Sequence, residues 1–266
     1  MALSLAKFQG KVAVVTGASS GIGKDTAKAL VKNGLIVAGL GRRVERIEDL
    51  AKQLSGEKGK LKAYKCDMTK EQDILSTFKR ITEELGPIHV LVNNAGLMLP
   101  TTLIDGDTEK WRTTFDTNVL GLCIATREAL KSMKAHNTAG HIIHINSIAG
   151  HYIVNIPNLN VYSATKYAVT ALAETLRTDL TREKLPIKIT SVSPGYVETE
   201  IQAVAGFPAD AISMPALNAS DIAEAVVYAL STPAHVNGAL GLPACLEHAV
   251  EEGYPRMYRL CNLWPG

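Results

Sequence analysis

Several things are scarce in this 266-residue chain. Cysteine occurs four times, at Cys66, Cys123, Cys245 and Cys261, with no C-x-x-C spacing. That scatter excludes a disulfide framework and a thiolate metal knuckle, and it points to reduced thiols in an intracellular compartment. Charge of one sign is not in excess: 28 basic against 26 acidic residues leave a net +2, so nothing marks a nucleic-acid binder. No window approaches 18 charge-free apolar residues, which argues against an integral membrane span. The apolar pieces before Gly10 are too short for a secretory h-region, so the expected location is cytoplasmic; peripheral membrane contact stays open. The seven histidines show no H-E-x-x-H or other ligand spacing, so no metal is expected. Linkers rich in Pro, Gly or Ser, repeats and low-complexity tracts are also missing.

What is present is alternation. Short β-branched runs read as strands at 11–16, 35–40, 62–66, 88–92, 141–146 and 187–192. Helical patterns fall between and after them, at 23–33, 44–54, 71–85, 108–135, 161–183 and 221–230. Strands that are apolar throughout, separated by helices, predict a parallel sheet covered on both faces. Right-handed crossovers make it a single-domain α/β fold, a doubly wound Rossmann-type sheet with ligands at the carboxyl ends of its strands.

Between the first strand and the first helix stands Thr16-Gly17-Ala18-Ser19-Ser20-Gly21-Ile22-Gly23. Glycines at this place permit a tight turn, close approach to a pyrophosphate and close helix–strand packing. The spacing is G-x-x-x-G-x-G, without the Gly-Lys-Ser/Thr of a P-loop. After the second strand, where an NAD enzyme places an acid, come Arg42 and Arg43. Guanidinium groups suit a 2′-phosphate, so NADP(H) is preferred to NAD(H). Arg42 is the stronger candidate; Arg43 fits a solvated helix start equally well. Further on, Tyr162 and Lys166 lie one helical turn apart on one face. An ammonium there favours the phenolate and is expected to lower the phenol pKa toward neutrality, as proton exchange with an alcohol or carbonyl requires. The Tyr-x-x-x-Lys spacing alone is common by chance.

Taken in order, these motifs resemble the short-chain dehydrogenases/reductases. The resemblance covers about residues 8 to 236 and runs through 16–23, Cys66-Asp67-Met68, Asn93-Asn94-Ala95-Gly96, Asn118, Ser147, Tyr162 with Lys166, and Pro194-Gly195. It implies that Tyr162 is the general acid/base and Ser147 the donor that holds the substrate oxygen. Lys166 would lower the tyrosine pKa and bind the nicotinamide ribose, and Asn118 would position a water for proton relay. Cofactor contacts implied are Gly17, Ser19, Ser20, Gly21, Ile22 and Gly23, with Asp67 and Met68 beside adenine. Asn94, Ala95 and Gly96 would bring backbone close, and Pro194, Gly195, Val197 and Thr199 would hold the nicotinamide amide and pyrophosphate. A homo-oligomer, dimer or tetramer, follows from the same resemblance. Plainer readings exist for single residues: Ser147 as a cap, Asn118 as a kink residue, Tyr162 as a buried tyrosine.

The 147–162 interval is slightly longer than is usual in that family, and the extra residues fall in 151–160, beside the substrate. His151 is a candidate pocket residue, although an exposed loop histidine fits as well. The 195–215 segment is apolar and free of Lys and Arg, with Tyr196, Ile201, Val204, Phe207, Ile212 and Met214; Met98, Leu99 and Val154 add to that wall. Such a lid suits a small lipophilic alcohol or carbonyl. Segments 41–48 and 221–236 resemble the insect farnesol dehydrogenase branch and related NADP-dependent carbonyl and steroid reductases. An isoprenoid alcohol such as farnesol is the first expectation, and a ketosteroid or other carbonyl the second. A nucleotide-binding homologue that has lost the chemistry, or an inactive partner subunit, is the competing class. After Val236 the resemblance fails. Asn237-Gly238-Ala239-Leu240-Gly241-Leu242-Pro243 argues against a last strand, dividing the chain into a catalytic domain at 1–236 and a divergent tail at 237–266.

Overall fold

A computed structural model describes residues 4–153, 159–201, 216–236 and 239–242. Seven strands form one sheet in the order β3-β2-β1-β4-β5-β6-β7. They are β1 (Val12–Thr16), β2 (Ile36–Gly41), β3 (Lys60–Lys65), β4 (Ile88–Asn93), β5 (His141–Ile145), β6 (Lys188–Pro194) and β7 (Ala239–Leu242). Every pairing is parallel. The helices are α1 (Gly21–Lys32), α2 (Val44–Gln53), α3 (Glu71–Leu85), α4 (Thr108–Phe115), α5 (Gly121–Ala135), α6 (Asn160–Arg182) and α7 (Ala219–Ser231).

Why the strands read as solid apolar runs is visible in β1. Ala13 and Val15 join one core with Leu30 of α1, Leu50 of α2 and Val226 of α7. Val12 and Val14 point the other way, into a second core with Phe78 of α3, Met133 of α5 and Leu180 of α6. Burial on both faces removes the alternation that a one-sided sheet would show. The edge strand β3 differs: in Lys60-Leu61-Lys62-Ala63-Tyr64-Lys65 the three lysines are exposed and only Tyr64 is fully buried, and charge along an open edge discourages pairing with other chains.

Two expectations need correction. The single helix predicted at 108–135 is broken: α4 ends at Phe115, a π-helical turn covers Asp116–Leu120, and α5 begins at Gly121. A close approach accompanies the break, because a Cβ at Gly121 would meet the Met68 carbonyl oxygen at 2.4 Å. The chain beyond Val236 was not expected to form a strand, yet Ala239–Leu242 pairs in parallel register with Ser191–Pro194. The strand is short and lies at the edge, and Pro243 follows its last paired residue, so no ladder N–H is missing. The sheet therefore crosses the boundary placed at 236. The rest of the 237–266 tail lies outside the described residues.

Candidate active site

The strand order reverses between β1 and β4, so the connections that leave their carboxyl ends part to opposite sides. Gly17 leaves β1 at φ +70°, a conformation that a side chain would strain. Gly23 sits one turn into α1, where a Cβ would lie 2.3 Å from both the Gly17 carbonyl oxygen and the Asn94 amide nitrogen. No side chain caps α1, so its first-turn N–H groups face the cleft with the positive end of the helix behind them. Thr16, at the end of β1, fastens the segment that follows β4. Its Oγ1 accepts from the backbone N–H of Asn94 at 3.0 Å and of Ala95 at 2.9 Å. Asn94 returns the contact, its Nδ2 donating to the Thr16 carbonyl at 2.8 Å.

The outer end of the cleft carries Arg42 and Arg43, at the turn from β2 into α2. Arg43 donates to the Ser20 hydroxyl at 2.9 Å and pairs with Glu200 at 2.8 Å. Asp67, just after β3, accepts from the Thr69 N–H and hydroxyl at 3.1 and 2.8 Å. Burial raises its pKa, but the Thr69 hydrogen bonds and the Arg42 and Lys70 charges outweigh it and leave the carboxyl below its ordinary value.

The inner end joins three elements. Ser147 follows β5, and its hydroxyl both accepts from the Ala149 N–H at 3.1 Å and hydrogen-bonds the Tyr162 phenol. Tyr162 and Lys166 lie in the first two turns of α6. Here the expected electrostatics differ. Burial pushes the phenol up to about 12, and it is the Ser147 hydrogen bond, not Lys166, that opposes this. The Lys166 ammonium donates to the Ile145 carbonyl at 2.9 Å and stands 5.6 Å from the phenol ring centre. Burial brings its own pKa down to about 8. Helical spacing put both groups on one face, but the end of β5 captured the ammonium.

That burial has a measurable consequence. An unfolded lysine titrates near 10.5 and Lys166 at about 8, so between those values the unfolded chain holds more protons. Stability from this group is therefore gained as pH rises from 8 to 10.5 and is lost on the way down. Lys166→Met removes the cost. The variant should melt higher than wild type at pH 7, by about 1–3 kcal/mol, and the gain should shrink toward pH 10.5. Melting curves across pH decide it, and a gain that does not depend on pH would contradict it.

Asn118 is buried within the π-helical turn. Its Oδ1 accepts from the Leu97 N–H at 2.9 Å, while Nδ2 donates to the Leu97 carbonyl at 2.9 Å and to the Thr165 hydroxyl at 3.0 Å. This ties the loop after β4 to α6. With both amide protons committed, the water-positioning role the resemblance implies falls to the second lone pair of Oδ1 or to the main chain of Asn118.

Most of these parts border one cleft of about 630 Å³. Around it stand Gly17, Ser19, Ser20, Gly21 and Ile22; Arg42, Arg43, Asp67 and Met68; Asn94, Ala95 and Gly96; Ser147, Tyr162 and Lys166; and Pro194, Gly195, Val197 and Thr199. Gly23 and Asn118 stand behind the wall they support. On the substrate side, Met98 and Leu159 are buried against Tyr162 and Ile201, and Tyr196 also borders the cleft. His151 does not: its Nε2 lies 2.8 Å from the Ser193 hydroxyl, which turns the ring onto β6. Val154 and Phe207 lie outside the described residues. Thr16, Thr165, Leu159 and Glu200 were not singled out from the sequence. Thr16 opens the glycine motif and carried a signal; the others are recognisable only by their distant partners.

Residues 11–206 match the family model of the short chain dehydrogenases. The chain belongs to that family. It is 46% identical over 234 residues to the farnesol dehydrogenase of Aedes aegypti, covering 86% of this chain and 94% of that one. It is 45% identical over 243 residues to dehydrogenase/reductase SDR family member 11 of Homo sapiens, covering 86% and 92%. Among solved structures, the closed form of a serine dehydrogenase complexed with NADP+ superposes with a TM-score of 0.78 at 34% identity, covering 87% and 94%.

This short-chain dehydrogenase is an oxidoreductase, and its cleft fits a nicotinamide dinucleotide. Glycine positions that a Cβ would obstruct, the uncapped start of α1 and arginines at the far end match a long, anionic, two-nucleotide ligand. Among the described residues no group of His, Cys, Asp or Glu could hold a metal, and no helix is long and apolar enough to cross a membrane.

Proposed function

We propose that this short-chain dehydrogenase moves a hydride between NADP(H) and a lipophilic alcohol or its carbonyl, with an isoprenoid alcohol such as farnesol first and a ketosteroid or other carbonyl second. One observation carries the reading: Ser147, Tyr162 and Lys166 meet at the inner end of a cleft whose outer end holds Arg42 and Arg43. The bound nicotinamide supplies or accepts the hydride. The chain's own residues handle the oxygen and the proton. Ser147 holds the substrate oxygen beside the phenol, and Tyr162 exchanges the proton with it. A phenol at about 12 is protonated at neutral pH, the form that donates in carbonyl reduction. For alcohol oxidation it must be drawn down: the Ser147 hydrogen bond acts in that direction, and the Lys166 ammonium would join it only on leaving the Ile145 carbonyl for the phenol side of the cleft. Asn118 keeps the loop after β4 in place against α6.

Support for a lipophilic substrate is the apolar wall of Met98, Leu159 and Ile201 around Tyr162, together with the similarity to the mosquito farnesol dehydrogenase. Support for NADP(H) is the Arg42–Arg43 pair at the cleft, with no acid at either position. A homo-oligomer belongs to the reading as well: an apolar groove between α5 and α6, lined by Leu122, Leu130, Leu172 and Leu176, is a face a second subunit could cover. So does a cytoplasmic location, in keeping with the free thiols of Cys66 and Cys123.

Absorbance at 340 nm with both cofactors and a panel of isoprenoid alcohols, steroids and simple carbonyls tests the proposal. Turnover should be highest with an isoprenoid alcohol and NADP+. Arg42→Ala should raise the KM for NADPH about 10- to 100-fold, the equivalent of a lost charged hydrogen bond, and barely change that for NADH. Equal effects on the two cofactors would remove the arginine from the 2′-phosphate.

A further inference from the structure

Two arginines of the α2 region converge on one carboxylate that arrives from the far side of the cleft. Glu200 accepts from Arg43 at 2.8 Å through one oxygen and from Arg46 at 2.7 Å through the other. Its neighbour Thr199 packs over the start of α1, with Cγ2 3.1 Å from where a Gly21 Cβ would be. The segment 199–200 thus crosses the glycine-rich turn and sets its carboxylate beside Arg43, which also holds Ser20. Glu200, Arg43 and Ser20 all border the cleft. Ion pairs this exposed add little to stability, so fold stability does not account for the arrangement. Hydrogen bonds from Arg46 and Arg43 hold the Glu200 carboxyl below its ordinary pKa, so it is an anion at neutral pH.

We propose that Glu200 is an internal counter-ion of the 2′-phosphate subsite, a specificity-determining residue that competes with the phosphate of the cofactor for Arg43. The proposal rests on the NADP(H) reading. A carboxylate and a phosphate ask for the same donors on a guanidinium. A phosphate monoester, with a charge of about −1.5 to −2, displaces the carboxylate but stays close to it. The uncharged 2′-hydroxyl of NAD(H) has nothing with which to displace it. Glu200 therefore weakens the grip on NADP(H) alone, which lowers the preference between the two cofactors and eases release of the phosphorylated one.

Calorimetric titration of the full chain with 2′,5′-ADP and with 5′-AMP separates these effects without turnover. Glu200→Gln should bind 2′,5′-ADP about 3- to 10-fold tighter than wild type at low salt and bind 5′-AMP equally. The gain should fade at about 0.5 M salt, where surface charges are screened. An unchanged or weaker 2′,5′-ADP affinity, or an equal gain for both ligands, overturns the proposal. The NADP(H) reading is judged separately, on wild type and Arg42→Ala. If wild type does not prefer 2′,5′-ADP to 5′-AMP, that reading fails and takes this proposal with it. If the preference is present and Glu200→Gln does not raise it, only the counter-ion fails.

Discussion

Tyr162→Phe should keep the fold and the cleft and lower kcat/KM about 10²- to 10⁴-fold, the usual contribution of a positioned acid/base. Phenylalanine fills the volume of the ring, so the packing of Met98, Leu159 and Ile201 against it survives. What disappears is the proton and the oxygen that Ser147 meets. Ser147 itself stays anchored by its bond from the Ala149 N–H. Dinucleotide affinity should therefore stay close to wild type while turnover collapses. Residual activity should also lose its dependence on a phenol-like ionisation. Steady-state kinetics across pH, beside a cofactor titration, separates the two. Turnover at the wild-type rate would show that Tyr162 is not the acid/base and that another group does its work, whereas a wild-type protein that binds dinucleotide without turning over any substrate would favour the nucleotide-binding homologue.

Gly23→Ala should be the most damaging small change in the cofactor half. In an ordinary helix the exchange stabilises, because alanine has a higher helix propensity by about 1 kcal/mol. Here the added methyl would lie 2.3 Å from the Gly17 carbonyl oxygen and 2.9 Å from its carbon, which are backbone atoms that cannot rotate aside. The Asn94 amide, also at 2.3 Å, would be pushed off the Thr16 carbonyl that it bridges at 2.8 Å. The clash reverses the sign: a net loss of about 2–3 kcal/mol, seen as a melting temperature lower by about 5–10 °C, with dinucleotide binding lost. Gly56→Ala is the control. It is exposed, a Cβ there meets nothing within 4 Å, and the exchange should be neutral or slightly stabilising. A Gly23→Ala protein that melts and binds like wild type would remove the close helix–strand packing from the account.

The glycine turn was legible because its signal is local. A fully buried run, Val12–Thr16, leads into glycines whose positive φ or missing Cβ the turn needs, and no distant residue has to be known. The break at Asp116–Leu120 showed only as a possible kink at Asn118, because what holds it is the capture of that amide by Leu97 and Thr165, both distant in sequence. The last strand was misread because glycine and proline were weighed as interior residues. Ala239–Leu242 is an edge strand, with its partner on one side only and the proline past its end. His151 follows Ser147 too closely for the direction of its ring to be guessed.

The sequence by itself determined the fold class, the family and the set of chemical groups, since these depend on period, spacing and residue type along short stretches. Tertiary structure alone decided how those groups act on one another. Parallel strands with aligned carboxyl ends bring Thr16 to Asn94, Ile145 to Lys166, and Arg43 to Glu200 157 positions away. Whether an ammonium lowers its neighbour's pKa depends on which oxygen holds it and how much water is excluded. Both are set by packing, where charge interactions fall off over a few ångströms and hydrogen bonds over tenths.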